Sequence, residues 1–159
     1  MSSKPAHKPR GLYFEQFNEG DTIVTANRTI TETDIVNFAG VSGDFTALHT
    51  DDLFAQTTPF GKRVAHGMLV QSIATGLAAQ LGILEGTILA FRELECKFSQ
   101  PIFIGDTIRV QLEVTGKKAF RRLGGGNIFL KVNVINQADE VVQRGQWTML
   151  IQSQPTDNE

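Results

Sequence analysis

The feature that most constrains this chain is a change of hydrophobic period near its middle. From Ala65 to Leu81 the run AHGMLVQSIATGLAAQL carries apolar or small residues on nearly every side, and Gly82 stands where a helix would stop, so the run predicts one buried helix. Beyond it the pattern becomes alternating, as in strands with one face in a core. Leu94, Cys96 and Phe98 alternate with Glu93, Glu95 and Lys97, and Ile108, Val110, Leu112 and Val114 with Arg109, Gln111 and Glu113. Ile128, Leu130, Val132 and Val134 repeat the pattern, and a last segment, Val141 to Ile151, places Trp147, Met149 and Ile151 on one side. The alternation turns Cys96 inward, where a free thiol behaves as a small hydrophobe. A long buried helix followed by several antiparallel strands is an α+β pattern, a curved antiparallel sheet wrapped on a helix. So short a sheet has edges to protect, and pairing two copies would extend it, so a homodimer is expected.

At 159 residues the chain has the size of one domain that can bury a core without staples. Residues 1–10 are Ser/Lys/Pro-rich and residues 152–159 offer no apolar anchor, so both are expected to be flexible, with the domain over residues 11–151. There is no internal repeat. The formal net charge is -2 and the basic residues are scattered, which excludes a nucleic-acid footprint. No leader-like apolar run and no stretch of about 18 apolar residues is present, so no membrane segment is expected. The single cysteine fits a reducing compartment, and the cytoplasm is the expected location.

Thr31-Glu32-Thr33-Asp34 reads as a helix start, with Thr31 as cap and acids in the first turn. Ile35, Val36, Phe38 and Ala39 give that helix an apolar face, and Gly40 or Gly43 ends it, leaving Val41 to Thr50 as a loop. That loop is dense in chemistry. Asp44 and His49 can converge on one water, and an imidazole can take and return a proton near neutrality. The competing reading makes Asp44 a turn residue and His49 a satisfied polar group. His49, Asp51, Asp52 and His66 are ligand types for divalent metals, but their spacing matches no closed site, and no metal is expected. Gly40-Val41-Ser42-Gly43 lacks the spacing of a nucleophile elbow. Gly67 opens the buried helix, where a free N–H could stabilise negative charge or where glycine could serve close packing alone. Gly124-Gly125-Gly126 lies between strands and reads as a hairpin end, since a phosphate cradle needs a following helix.

Together these residues resemble the MaoC-like dehydratases, which include the (R)-specific enoyl-CoA hydratases. The family signature, Asp-x-Asn-Pro-x-His-x-Asp, matches Asp44-Phe45-Thr46-Ala47-Leu48-His49-Thr50-Asp51, and its His-Gly-Met segment matches His66-Gly67-Met68. A strand-Pro-x-x-x-Gly-Asp element matches Phe98 to Asp106 through Pro101, Gly105 and Asp106. The resemblance implies a hotdog fold with its active site at a dimer interface. It implies that Asp44 and His49 hold the water added to an enoyl thioester and that the Gly67 N–H polarises the thioester carbonyl. No cofactor is implied beyond the acyl-CoA substrate itself. Thr46 and Ala47 depart from the family's Asn and Pro. The Thr46 hydroxyl keeps the capacity to donate and accept beside the water, so it is expected to position it, whereas losing Pro gives the loop freedom that other contacts must restrict. Thr75 and Ala78, small and one turn apart on the buried helix, are expected to line the acyl pocket. Lys62, Arg63, Lys117, Lys118, Arg121 and Arg122 are the nearest approach to a basic cluster for CoA phosphates, although solvated surface residues explain them as well. The function implied is reversible hydration of a trans-2-enoyl-CoA to the (R)-3-hydroxyacyl-CoA in fatty acid metabolism. One alternative is a hotdog acyl-CoA thioesterase, disfavoured because residues 67–81 contain no acidic side chain. Another is a non-catalytic acyl-thioester binding module, motivated by Thr46 and Ala47.

Overall fold

Thr31 starts the first helix through a reciprocal cap: its hydroxyl accepts from the Asp34 N–H at 3.2 Å while the Asp34 carboxylate accepts from the Thr31 N–H at 2.9 Å. In the computed structural model, which describes residues 10–155, this helix, α1 (Glu32–Ser42), ends at Gly43 in the left-handed conformation, φ 77°. The segment expected as a loop contains one helical turn, α2 (Ala47–Thr50). It leads into α3 (Asp52–Gln56), capped by the Asp51 carboxylate, which accepts from the Leu53 and Phe54 N–H groups at 2.9 and 3.0 Å. The predicted buried helix is α4 (Gly67–Gln80), and the chain turns away at Gly82 with φ 76°.

Six strands follow one another in the chain as β1 (Thr22–Val24), β2 (Arg28–Thr29), β3 (Ile88–Phe98), β4 (Thr107–Phe120), β5 (Gly125–Ile135) and β6 (Val141–Gln152). They form one antiparallel sheet in the order β1-β4-β5-β6-β3, with β2 also paired to β4. The inward sets predicted for β4, β5 and β6 are buried, namely Ile108, Val110, Leu112, Val114, Ile128, Leu130, Val132, Val134, Trp147, Met149 and Ile151, while in β6 the intervening Thr148 and Leu150 are buried as well. They share one core with Val70, Ile73, Ala74, Leu77 and Ala78 of α4, spaced so that one helix face meets the concave sheet. This is the hotdog arrangement of the α+β class. β1 and β2 were not foreseen, since three and two residues are too few to show a period.

β3 departs from its expected burial. Leu94 is 41% and Phe98 55% exposed, with Ile88, Leu89 and Phe91 exposed beside them, and Cys96 is half-buried rather than sealed in the core. The cause is position: β3 is the sheet edge, and among the described residues nothing covers those side chains.

Both expected loose ends reach partly beyond the described residues, which leave out 1–9 and 156–159. Within them, Arg10 pairs with Glu85 at 3.3 Å. Gln152 is the last residue of β6 and Ser153 donates to the Gly124 carbonyl at 2.8 Å, so the C-terminal order extends past the expected boundary. Among the described residues no helix is long and apolar enough to cross a membrane.

Gly145 lies in the middle of β6, in register with Cys96 of β3 and Val132 of β5. A Cβ there would run into the Glu95 backbone carbonyl, and a strand hydrogen-bonded on both sides cannot step aside. Gly145→Ala is expected to destabilise the fold by about 1–3 kcal/mol, read as a lower urea midpoint at unchanged slope.

Candidate active site

Asp44 follows the left-handed Gly43 and is held by short local bonds. Its N–H donates to Ser42 Oγ at 3.1 Å. Its Oδ1 accepts from the Thr46 N–H at 3.1 Å and from the Thr46 hydroxyl at 2.6 Å. The Thr46 hydroxyl, then its amide, hold the Asp44 carboxyl below the ordinary carboxylate range, with smaller help from His49 and His66 and against a desolvation cost. Asp44 is exposed and is a carboxylate at neutral pH. The Thr46 hydroxyl spends its one proton on the carboxylate, which leaves its oxygen able to accept.

His49 projects from α2, and its Nδ1 lies 2.6 Å from the Val64 carbonyl. A carbonyl only accepts, so Nδ1 carries the proton and the neutral ring presents its lone pair at Nε2. His66, the residue before α4, is 2% exposed, and its Nε2 donates to the backbone carbonyl of Asp44 at 2.9 Å. Its ring stacks on His49 with centroids 3.9 Å apart and planes 29° apart, and Phe38 of α1 tilts against its other side at 5.0 Å. His66 Nδ1 is buried without a hydrogen-bond partner. One ligand-type atom from each of Asp44, His49 and His66 lies within 4.8 Å of the other two, a grouping compact enough to grip a water or a small cation. Asp51 and Asp52, weighed with the histidines in the sequence, act elsewhere: Asp51 caps α3, and Asp52 pairs with Arg63 at 2.6 Å.

A cavity of about 480 Å³ opens beside His49 and Gly67, with Leu48, Phe60, Met68, Phe98 and Ile102 among its walls. Gly67 is the first residue of α4, so its N–H has no acceptor within the helix and sits at the positive end of the dipole. A Cβ at Gly67 would lie 2.5 Å from Phe98 Cε1, so the glycine serves close packing as well. Gln143 donates to the Gly67 carbonyl at 3.1 Å and accepts from Gln71 at 2.7 Å, and these buried amides fix the first turn. Thr75 and Ala78 do not line this cavity. Thr75 donates its hydroxyl to the Ser72 carbonyl at 2.7 Å, and Ala78 is sealed between helix and sheet, so the apolar space lies around the first turn of α4 rather than its middle.

Of the basic residues considered for CoA phosphates, Arg63 is engaged by Glu32 and Asp52 at 2.7 and 2.6 Å, which keep its guanidinium firmly protonated. Lys62 lies over the Phe103 ring at 4.2 Å, and Lys117 donates to the Phe17 carbonyl at 2.8 Å. Phe98 and Gln143 reach the site from the sheet and carry no mark of it in the sequence, and the contacts of His66 go beyond its place in the His-Gly-Met segment. The signal available for His66 was its place immediately before the helix-opening glycine.

The description "MaoC like domain" belongs to the family profile that matches residues 16–134. Protein MaoC of Klebsiella aerogenes is 42% identical over 104 residues, 65% of this chain and 31% of that protein. An (R)-specific enoyl-CoA hydratase of Rhodospirillum rubrum is 41% identical over 105 residues, 65% of this chain and 70% of that protein. Among solved structures, the monoamine oxidase regulatory protein from Archaeoglobus superposes with a TM-score of 0.85 at 41% identity, covering 91% of this chain and 97% of that one. An R-hydratase from Pseudomonas aeruginosa superposes with a TM-score of 0.76 at 29% identity, covering 91% and 88%.

Proposed function

This chain belongs to the family of MaoC-like domains, and from that membership we propose that it catalyses the reversible addition of water to a trans-2-enoyl-CoA. The observation that carries the reading is the convergence of the Asp44 carboxylate and His49 within 4.8 Å, beside an apolar cavity that Gly67 also borders. Two acceptors can take both hydrogens of one water and leave its oxygen lone pair directed at the β-carbon of a bound enoyl thioester. Because the Asp44 carboxyl is held low, it is the weaker proton store. His49 Nε2 takes the proton as the C–O bond forms, and Asp44 orients the water and offsets the imidazolium charge. The electron pair of the double bond moves onto the thioester oxygen, where the Gly67 N–H stabilises it. The proton from His49 then goes to the α-carbon, which completes the addition of one water with both residues restored. The (R) configuration of the product is taken from the (R)-specific enoyl-CoA hydratase of Rhodospirillum rubrum and the R-hydratase of Pseudomonas aeruginosa that this chain resembles.

The exposed apolar edge of β3 supports self-association of two copies. The lone thiol of Cys96 fits a reducing cytoplasm.

The reading is tested by following loss of the conjugated thioester absorbance with crotonyl-CoA and with a longer enoyl-CoA, while free thiol is monitored in parallel. Loss of conjugation without thiol supports the hydratase; thiol release means a thioesterase; and neither signal, with tight ligand binding, means a binding module. Thr46→Val adds a finer check. Removing the hydroxyl takes away the donor that most holds the Asp44 carboxyl low, so that carboxyl is expected to rise toward its ordinary value, read directly by NMR titration of the side chain. An unmoved titration would mean that the Thr46 hydroxyl does not hold the carboxylate.

A further inference from the structure

We propose that His66 is a positioning residue that holds the Asp44 loop in register with His49; its rate readout rests on the hydratase reading, and its structural readout does not. Asp44 lies on an exposed stretch following a left-handed glycine, and Ala47 stands where the family's proline would stiffen the loop. Some contact must therefore restrict that backbone. The other hydrogen bonds of residues 43–46 are local, reaching five residues or fewer along the chain. The bond from His66 Nε2 to the Asp44 carbonyl spans 22 residues and ties the loop to the start of α4.

The same ring also sets His49. Stacked at 3.9 Å, it blocks one face of the His49 imidazole while the Val64 carbonyl holds Nδ1 at 2.6 Å, so the plane in which Nε2 presents its lone pair is defined from two sides. One buried side chain thus touches the backbone of one reacting group and the ring of the other. Its chemistry indicates that more than packing is involved. A phenyl ring would fill this space between Phe38 and His49 without burying a polar nitrogen, whereas the imidazole leaves Nδ1 unpartnered, a cost of the kind that marks a functional requirement. The side chain does not act as a cap for α4 either, since it bonds no N–H of the first turn. What the imidazole provides and phenyl lacks is the Nε2–H donor to Asp44.

Two variants separate the donor from the ring. His66→Phe keeps an aromatic ring for the stack and removes the N–H. His66→Gln loses the stack and places an amide N–H at a similar reach. His66→Phe is expected to lower kcat on crotonyl-CoA by about 10²-fold, the scale set by small misplacement of reacting groups, with little change in KM. It should also speed hydrogen exchange of the Thr46 amide, whose bond goes to Asp44 Oδ1. His66→Gln is expected to recover most of both. Unchanged kcat and unchanged Thr46 exchange in His66→Phe would overturn the proposal, as would a His66→Gln variant no better than His66→Phe in both readouts, since restoring a donor to the Asp44 carbonyl would then restore nothing. Were the wild type to hydrate no enoyl-CoA, the hydratase reading would fall and the exchange pattern would decide the clamp by itself.

Discussion

Asp44→Asn is expected to lower kcat for enoyl-CoA hydration by about 10²- to 10⁴-fold, the range over which a group handling the transferred water contributes. The substitution is nearly isosteric, and the amide oxygen can still accept from the Thr46 hydroxyl and N–H that now hold Oδ1. What changes is the other arm of the side chain. An acceptor facing the water becomes an N–H₂ donor, and the negative charge opposite the developing imidazolium disappears. Asp44 is exposed and contributes little to the core, so the thermal midpoint should stay close to that of the wild type. Loss of the conjugated thioester absorbance gives the rate, and a melting curve on the same sample gives the fold. A near-wild-type kcat in Asp44→Asn, with intact folding, would take Asp44 out of the chemistry.

Which parts of this molecule could be read from its sequence follows from what periodicity measures. β4, β5 and β6 were legible because each turns one apolar face into the core, although only β4 alternates cleanly for most of its length and Trp147 to Ile151 of β6 are buried throughout. β3 carries the same alternation, yet its Leu94 and Phe98 are exposed. A period identifies which side chains share a face and says nothing about what covers it. The helix α4 was legible because its apolar face packs into the core, although Met68, Ser72, Gly76 and Ala79 leave its opposite face exposed. Within the site, Asp44 and His49 are close in sequence, and their proximity in space could be read from that spacing. His66 is 22 residues from the carbonyl it holds, and its partner is a backbone atom, which leaves no mark in residue identity. The bond of the Thr46 hydroxyl to Asp44 was not legible for a related reason: residue identity does not say where a hydroxyl sends its proton, and the 2.6 Å contact does. Thr75 and Ala78 share a helix face by spacing, but the depth of that face below the sheet is a property of the packed whole.

His49→Asn should be as damaging as the change at Asp44, with a kcat loss of about 10²- to 10⁴-fold, and it isolates proton transfer from anchoring. The Asn amide N–H can replace Nδ1 as donor to the Val64 carbonyl, the 2.6 Å bond that seats the ring, whereas nothing replaces Nε2. The thermal midpoint should therefore change much less than the rate. His49→Gln, whose amide reaches toward the Nε2 position without that anchor, should lose both rate and local order. Combining His49→Asn with Asp44→Asn then asks whether the two side chains act on one water. Groups that serve a single step as a unit are non-additive: once one acceptor is gone the water is no longer held, and removing the second costs little more. The double variant is expected to fall close to the weaker single variant. Were the two losses to multiply in full, Asp44 and His49 would be acting in independent steps, and the shared water would have to be abandoned.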